Sequence, residues 1–168
     1  MEQRSMMLNN LSNLPRKMLL LHDLDAIAEL VLHELCSERC FNLNKAVYFV
    51  DNPDFDCMKG VAGFSRDESY KGGEHMWEDP HAFTEYVKSA PFNQKVRNMH
   101  HPSMKRNKTD DTIIRSLAEE CAITHPECHM WDMKHNNRGV FIYEKPEACD
   151  VGDYIHNGVC LLSFCPIN

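Results

Sequence analysis

The chain has 168 residues, 43% of them hydrophobic, and a formal net charge of −7. That size gives one domain with a real core, the composition excludes wholesale disorder, and the negative balance disfavours nonspecific nucleic-acid binding. No apolar run approaches the roughly 20 residues of a bilayer span, that at residues 18–21 being broken at once by His22 and Asp23, and no basic segment followed by an apolar stretch marks a signal peptide.

Residues 1–15 are polar, rich in Asn and Met, and end at Pro15, which reads as a flexible N-terminal arm or the start of a longer helix. Over 16–38 the residues Leu20, Leu24, Ile27, Ala28, Val31 and Leu35 recur at spacings of three and four, so the pattern predicts one amphipathic helix. Residues 45–50 (Lys-Ala-Val-Tyr-Phe-Val) predict a buried strand. The cluster Asp51-Asn52-Pro53-Asp54 predicts a turn, and residues 57–64 predict the returning strand of an antiparallel hairpin. Gly60 and Gly63 in that strand mark a bulge or a close backbone approach.

The chain is polar from 65 to 78. Asp79-Pro80 then reads as a helix start, with Phe83, Val87 and Ala90 inward and Pro91 as its stop. Residues 92–109 read as a loop. A further helix follows from about Asp110, with Ile113, Ile114, Leu117, Ala118 and Cys121 on its apolar face. Residues 122–138 read as irregular. Strands are predicted at 139–144 and 158–165, the last ended by Pro166. The sum is one α/β (α+β) domain over 16–168 with a single sheet.

Three stretches resemble the opening of a GAF domain: Asp23-Leu24-Asp25-Ala26-Ile27-Ala28-Glu29-Leu30-Val31, Lys45-Ala46-Val47-Tyr48-Phe49-Val50-Asp51 and Gly60-Val61-Ala62-Gly63-Phe64. The tail from Gly158 to Ile167 is similar to the GAF strand that ends in an apolar residue, Pro and Leu or Ile. The resemblance covers residues 20–64 and 158–167 and is absent between them. A GAF domain continues past that Pro with another strand pair and a closing helix; this chain stops at Asn168, as a truncated or rearranged relative would. The resemblance implies a central antiparallel sheet with amphipathic helices packed on one face and a small-ligand pocket on the other. It also implies a sensory or regulatory role, a homodimer through helix 16–38 and a C-terminal output domain.

Eight cysteines and ten histidines carry the remaining chemistry. Without an export signal the cysteines read as reduced thiols of a cytoplasmic compartment. His22, Glu29, His33, Cys36 and Cys40 fall opposite the apolar stripe of the first helix, at spacings that make them neighbours. They are metal-capable types or simply a solvated polar face. Cys121, His125, Cys128, His129 and His135 lie within fifteen residues. Cys121, His125 and Cys128 are the candidate metal ligands, alone or completed by Cys149, Cys160 or Cys165, and Zn²⁺ is the default ion for mixed sulfur and nitrogen donors. Buried thiols and loop histidines are the plainer account.

The candidate ligand-pocket residues are Tyr48, Phe64, Trp77, Trp131 and Phe141, aromatics that line a pocket or fill a core. Between Tyr86 and Thr109 there is no acidic residue, and Lys88, Lys95, Arg97, His100, His101, Lys105, Arg106 and Lys108 lie there. This is a phosphate contact or a solvated basic loop. No P-loop, GxGxxG or GxSxG is present. The expected function is small-ligand sensing coupled to an output domain or partner. The alternative is a metal- or thiol-dependent enzyme or redox sensor built on the Cys/His cluster.

Overall fold

The computed structural model describes residues 2–104, 111–145 and 154–167. Strands β1 (Lys45–Asn52) and β2 (Cys57–Ser65) form the antiparallel hairpin that the short apolar runs and the Asn-Pro-Asp turn predict. The Asn52 side chain caps that turn by accepting from the backbone N–H groups of Asp54 and Phe55. Two-residue β3 (His100–His101), β4 (Glu127–Asp132) and β5 (Arg138–Glu144) complete an antiparallel sheet ordered β3-β2-β1-β5-β4. β1 is central, and its six middle residues are buried.

Strand β1 sends Ala46, Tyr48 and Val50 to one face of the sheet and Val47 and Phe49 to the other. The first face is covered by α1 (Glu2–Leu20), α2 (Ile27–Cys36), α3 (Pro80–Ser89) and α6 (Tyr154–Val159), which runs on into a 3-10 turn (Cys160–Phe164). The second face, where the GAF resemblance implies a pocket, is closed by α4 (Pro91–Arg97) and α5 (Asp111–Glu120) through Val96, Leu117 and Ala118. The antiparallel sheet is as expected, but helices pack on both of its faces.

Several local expectations change. Residues 16–38 are not one helix. The bonds Leu21 N–H to Met18 O, Leu24 N–H to Leu21 O and Ile27 N–H to Leu24 O make three successive tight turns between α1 and α2. Leu20, counted in the apolar stripe, is 76% exposed, whereas every residue of α2 is buried. The dimer expected through helix 16–38 therefore has no free face on α2. The N-terminal segment continues into α1, with Pro15 inside the helix. Residues 92–97, read as loop, are helical. Pro91 ends α3 and, at the first position of α4, starts the next helix.

Residues 127–132, read as irregular, form edge strand β4, with Glu127, His129 and Trp131 opposite Tyr143, Phe141 and Gly139. Of residues 158–165, read as a strand, 158–164 are helical and 3-10 instead. Ile155, Val159 and Leu162 are buried at the i, i+4, i+7 spacing of a helix, and this period begins before the apolar run the eye picks out. Gly158 lets that helix close in, because a Cβ there would lie 2.6 Å from the Phe41 ring. The tail of the GAF resemblance is thus not a strand.

Gly60 and Gly63 do both things expected of them. Tyr48 pairs with Ala62 and Phe49 with Gly60, so Val61 is the extra residue of a bulge. Both glycines also lie directly under Val96 of α4. Asn93 pins the same helix: its Oδ1 accepts from Gly63 N–H at 2.9 Å, and its Nδ2 donates to Val87 O.

Arg97, at the end of α4, reaches Glu29 on α2 at 2.6 Å. Glu29 is 2% exposed, and burial pushes its carboxyl up against the opposing effects of its own backbone hydrogen bond and Arg97. Arg97→Ala should destabilise the fold by about 2 kcal/mol, below the usual cost of orphaning a buried charge because Arg97 itself is 37% exposed. Urea unfolding at pH 7 measures it. A Glu29→Gln background should remove most of the loss, and equal losses in both backgrounds would dissociate the arginine from Glu29.

Candidate functional site

A cleft of about 300 Å³ opens where the C-terminal turn of α2 meets the segment that leaves β2. Its inner wall is His33, Cys36, Phe64 and Met76, all buried. Tyr70 flanks them, and Ser37, Glu38, Arg39, Arg66 and Ser69 form the rim. An apolar interior with a few polar groups at its mouth is the usual constitution of a small-molecule site, and this volume is at the small end of the range.

The local sequence builds each part. α2 ends at Ser37, whose N–H and hydroxyl both donate to Glu34 O, and the chain turns back through Cys40 and Phe41. That turn carries Arg39 to Glu34, where its Nη2 lies 3.1 Å from Oε2. Glu34 is 1% exposed and also accepts from the Trp77 indole N–H at 3.1 Å, with Lys17 at 3.9 Å. Beyond β2, Arg66 swings back onto the same turn, donating through Nη2 to Asn42 Oδ1 at 2.5 Å and Leu43 O at 3.1 Å. Tyr70 packs edge-on to Phe83 and leans on Tyr86.

His33 stands at the back of the cleft and is 6% exposed. Its Nδ1 is 2.8 Å from Glu29 O; a carbonyl only accepts, so Nδ1 carries the proton and Nε2 offers a lone pair. The Phe64 and Phe83 rings lie edge-on to it, each with its centroid at 5.0 Å. Burial pushes the imidazole down to about 4, against the opposing effect of the Glu29 carbonyl, so the ring is neutral at pH 7.

Of the five aromatics singled out in the sequence, only Phe64 lines this cleft. Tyr48 and Phe141 are fully buried beneath the helices of the first face. Trp131 stacks on Tyr48 at 5.8 Å, lies over Gly139 and donates its indole N–H to Ser163 Oγ at 2.6 Å. Trp77 is held by Glu34. These four are core and anchoring residues: the structure brings all five to the core of the first face, but only Phe64 to the cleft.

Cys121, His125 and Cys128 separate as well. Cys121 is buried against Met99, with its Sγ 3.7 Å from Met99 Sδ, His125 is exposed in a loop at φ 49°, and Cys128 is half-buried on β4. Among the described residues no three His, Cys, Asp or Glu side chains converge as metal ligands. Cys149 lies outside the described residues, as do Lys105, Arg106 and Lys108. The seven described cysteines are free thiols. Burial pushes Cys40 and Cys165 up to about 12 and Cys121 and Cys128 to about 11, the opposite of the lowering that makes a thiol nucleophilic.

The polar stripe of the first helix faces inward from Glu29 onward, where Glu29 meets Arg97, His33 and Cys36 meet the cleft and Cys40 is buried, while His22 is exposed. The sequence had marked His33 and Cys36. Arg39, Arg66, Ser69, Tyr70 and Met76 were not singled out, and the signal for them was position, a polar segment directly after a buried strand. Lys95 and Arg97 of the basic stretch are used within the fold, on Glu120 O and Glu29. No family model matches the chain, and no match is found among the curated proteins or the solved structures.

Proposed function

We propose that this chain is a sensory or regulatory domain whose small ligand occupies the cleft between the end of α2 and the exit of β2. The observation that carries this reading is the cleft itself: about 300 Å³ with a buried wall of Phe64, Met76 and His33 and two arginines at its mouth. The position suits signalling. A ligand bridging Ser37–Arg39 and Arg66–Tyr70 joins the buried helix α2 to the segment that leads into α3, so occupancy stiffens both. An output domain or partner reads that change, and the resemblance of residues 20–64 to a GAF domain agrees with such a role.

Self-association belongs to the same reading, but it uses α1 rather than α2. Leu19 and Phe164 stand exposed there and border an apolar groove with Met18 and Leu161.

The test is a metabolite screen by thermal shift on the full chain and on Ser69→Trp, which fills the cleft from an exposed position. A ligand at 100 times its Kd should stabilise the chain by about 2.7 kcal/mol. The substitution should alter stability by no more than about 0.5 kcal/mol and abolish the ligand's effect. A ligand whose effect survives Ser69→Trp binds elsewhere and removes this assignment.

A further inference from the structure

Two groups in the cleft have unmatched chemistry. Arg66 is held by neutral acceptors alone, the Asn42 amide oxygen and the Leu43 carbonyl, both through Nη2. A guanidinium has five N–H groups, so the Nε and Nη1 hydrogens are left for something else. Among the described residues no carboxylate lies within ion-pair distance of Arg66. Arg39, across the mouth, differs because its charge is met by Glu34. Glu38 also lines the rim, but it is exposed and makes no ion pair with Arg66.

His33 is the second group. Its proton is committed to Glu29 O, and its Nε2 receives no hydrogen bond from any described residue, although the side chain is 94% buried by its 6% exposure and forms part of the cleft wall. A neutral imidazole so placed is an acceptor that lacks a donor. Dehydrating it without one is costly, which favours a ligand that brings its own N–H or O–H. Between the two groups the wall is apolar: Phe64, Tyr70 and Met76.

We propose that the cleft takes a small organic anion, a carboxylate on an apolar or aromatic body, with the carboxylate on Arg66 and an N–H or O–H of the body donated to His33 Nε2. This rests on the reading of the cleft as the ligand site. The volume holds about ten water molecules at the liquid's share of roughly 30 Å³ each, which is room for a ligand of amino-acid size. Arg66 selects the charge and His33 selects the donor; the two requirements are separable by substitution in the ligand and in the protein.

The experiment uses matched probes on the ¹⁵N-labelled full chain: 4-hydroxybenzoate and indole-2-carboxylate, their primary amides, and their O- or N-methyl forms. Binding is followed from the backbone signals of Ser37, Phe64, Arg66 and Tyr70. The carboxylates should bind about tenfold tighter than the amides, since a charge-assisted hydrogen bond replaces a neutral one. Arg66→Gln should erase that gap and Arg66→Lys should keep part of it, with dispersed spectra showing that both variants fold. Methylating the donor should cost about tenfold, and the cost should vanish in His33→Phe. Amides that bind as well as carboxylates, or methylation without effect, overturn the anion-and-donor assignment while leaving the cleft as the site. If no probe shifts the cleft signals, the cleft reading falls with it.

Discussion

Gly60→Ala is expected to lower stability by about 4 kcal/mol, beyond the usual overpacking cost because backbone rather than side chain stands in the way. A Cβ at Gly60 would lie 1.8 Å from Val96 O and 2.8 Å from Val96 C. Helix α4 cannot retreat cheaply. Gly60 N–H donates to Met99 O just beyond that helix, and Asn93 ties its first turn to Gly63 N–H at 2.9 Å. Moving α4 outward breaks both bonds and opens the second core, where Val96 packs with Phe49, Met58 and Leu117. Gly63→Ala is the control. Its Cβ meets Val96 Cγ2 at 2.7 Å, a methyl group that can rotate or shift, so the cost should be about 1–2 kcal/mol. Denaturant unfolding of the two variants gives the comparison. A Gly60→Ala loss no larger than that of Gly63→Ala would mean that α4 does not lie against the bulge.

The second large effect is on the pH dependence of stability. His33 titrates near 6.5 when unfolded and at about 4 in the folded chain, because its ring is dehydrated between Phe64 and Phe83. Above 6.5 the ring is neutral in both states, so the native state carries no penalty. Between 6.5 and about 4 the unfolded chain binds a proton that the folded chain refuses, and stability falls as pH falls. Below 4 both states are protonated and the loss is complete, about 3 kcal/mol at 1.36 kcal/mol per pKa unit.

The groups around the ring modulate this. Burial lowers the imidazole, while the Glu29 carbonyl, which accepts from Nδ1, favours protonation and offsets part of that. Glu29 itself works in the other direction: its raised carboxyl pKa removes stability as pH rises. The quantity to measure is therefore the difference between the wild type and His33→Gln, by urea unfolding from pH 7 to pH 4. The wild type should lose about 3 kcal/mol more over that interval, whatever the two stabilities are at pH 7. Parallel curves would mean that the imidazole is not buried as a neutral ring.

The cleft and this titration are linked. A donor hydrogen-bonded to Nε2 holds the ring neutral, so an occupied cleft should keep the His33 imidazole low, and such a ligand should bind less tightly once the ring is protonated. The same buried side chain that weakens the fold in acid is thus the acceptor that a ligand with a donor would satisfy.

Local sequence was sufficient where one short period and one turn signal agree. Residues 45–50 and 57–64 became β1 and β2 because a continuous apolar run on each side of Asn-Pro-Asp leaves only a buried hairpin. Asp79-Pro80 became the start of α3 because a cap side chain and a fixed φ act within one turn; Asp79 does accept from Ala82 N–H. The apolar spacing of residues 113–121 likewise announced α5. The metal-capable spacing of His33 and Cys36 was legible too, though not that both would face a cleft.

What tertiary structure decided were the features whose causes lie far away in the chain. α4 has only Phe92 and Val96 as apolar spacing, and it forms where Gly60 and Gly63 leave room for it. β4 reads as irregular until β5 offers it a ladder, and residues 158–165 look like a strand until α2 and Phe41 require a helix against them. The aromatics at 48, 131 and 141 are equally suited to a pocket or a core; the helices closing over that face made them core. The cleft joins His33 to Arg66 across thirty-three positions, and no local period records such a meeting. Sequence by itself determined the elements whose energy is local, namely caps, turns and faces. The fold alone decided which faces met and which polar groups were left without a partner, because burial belongs to the assembled molecule and not to any segment of it.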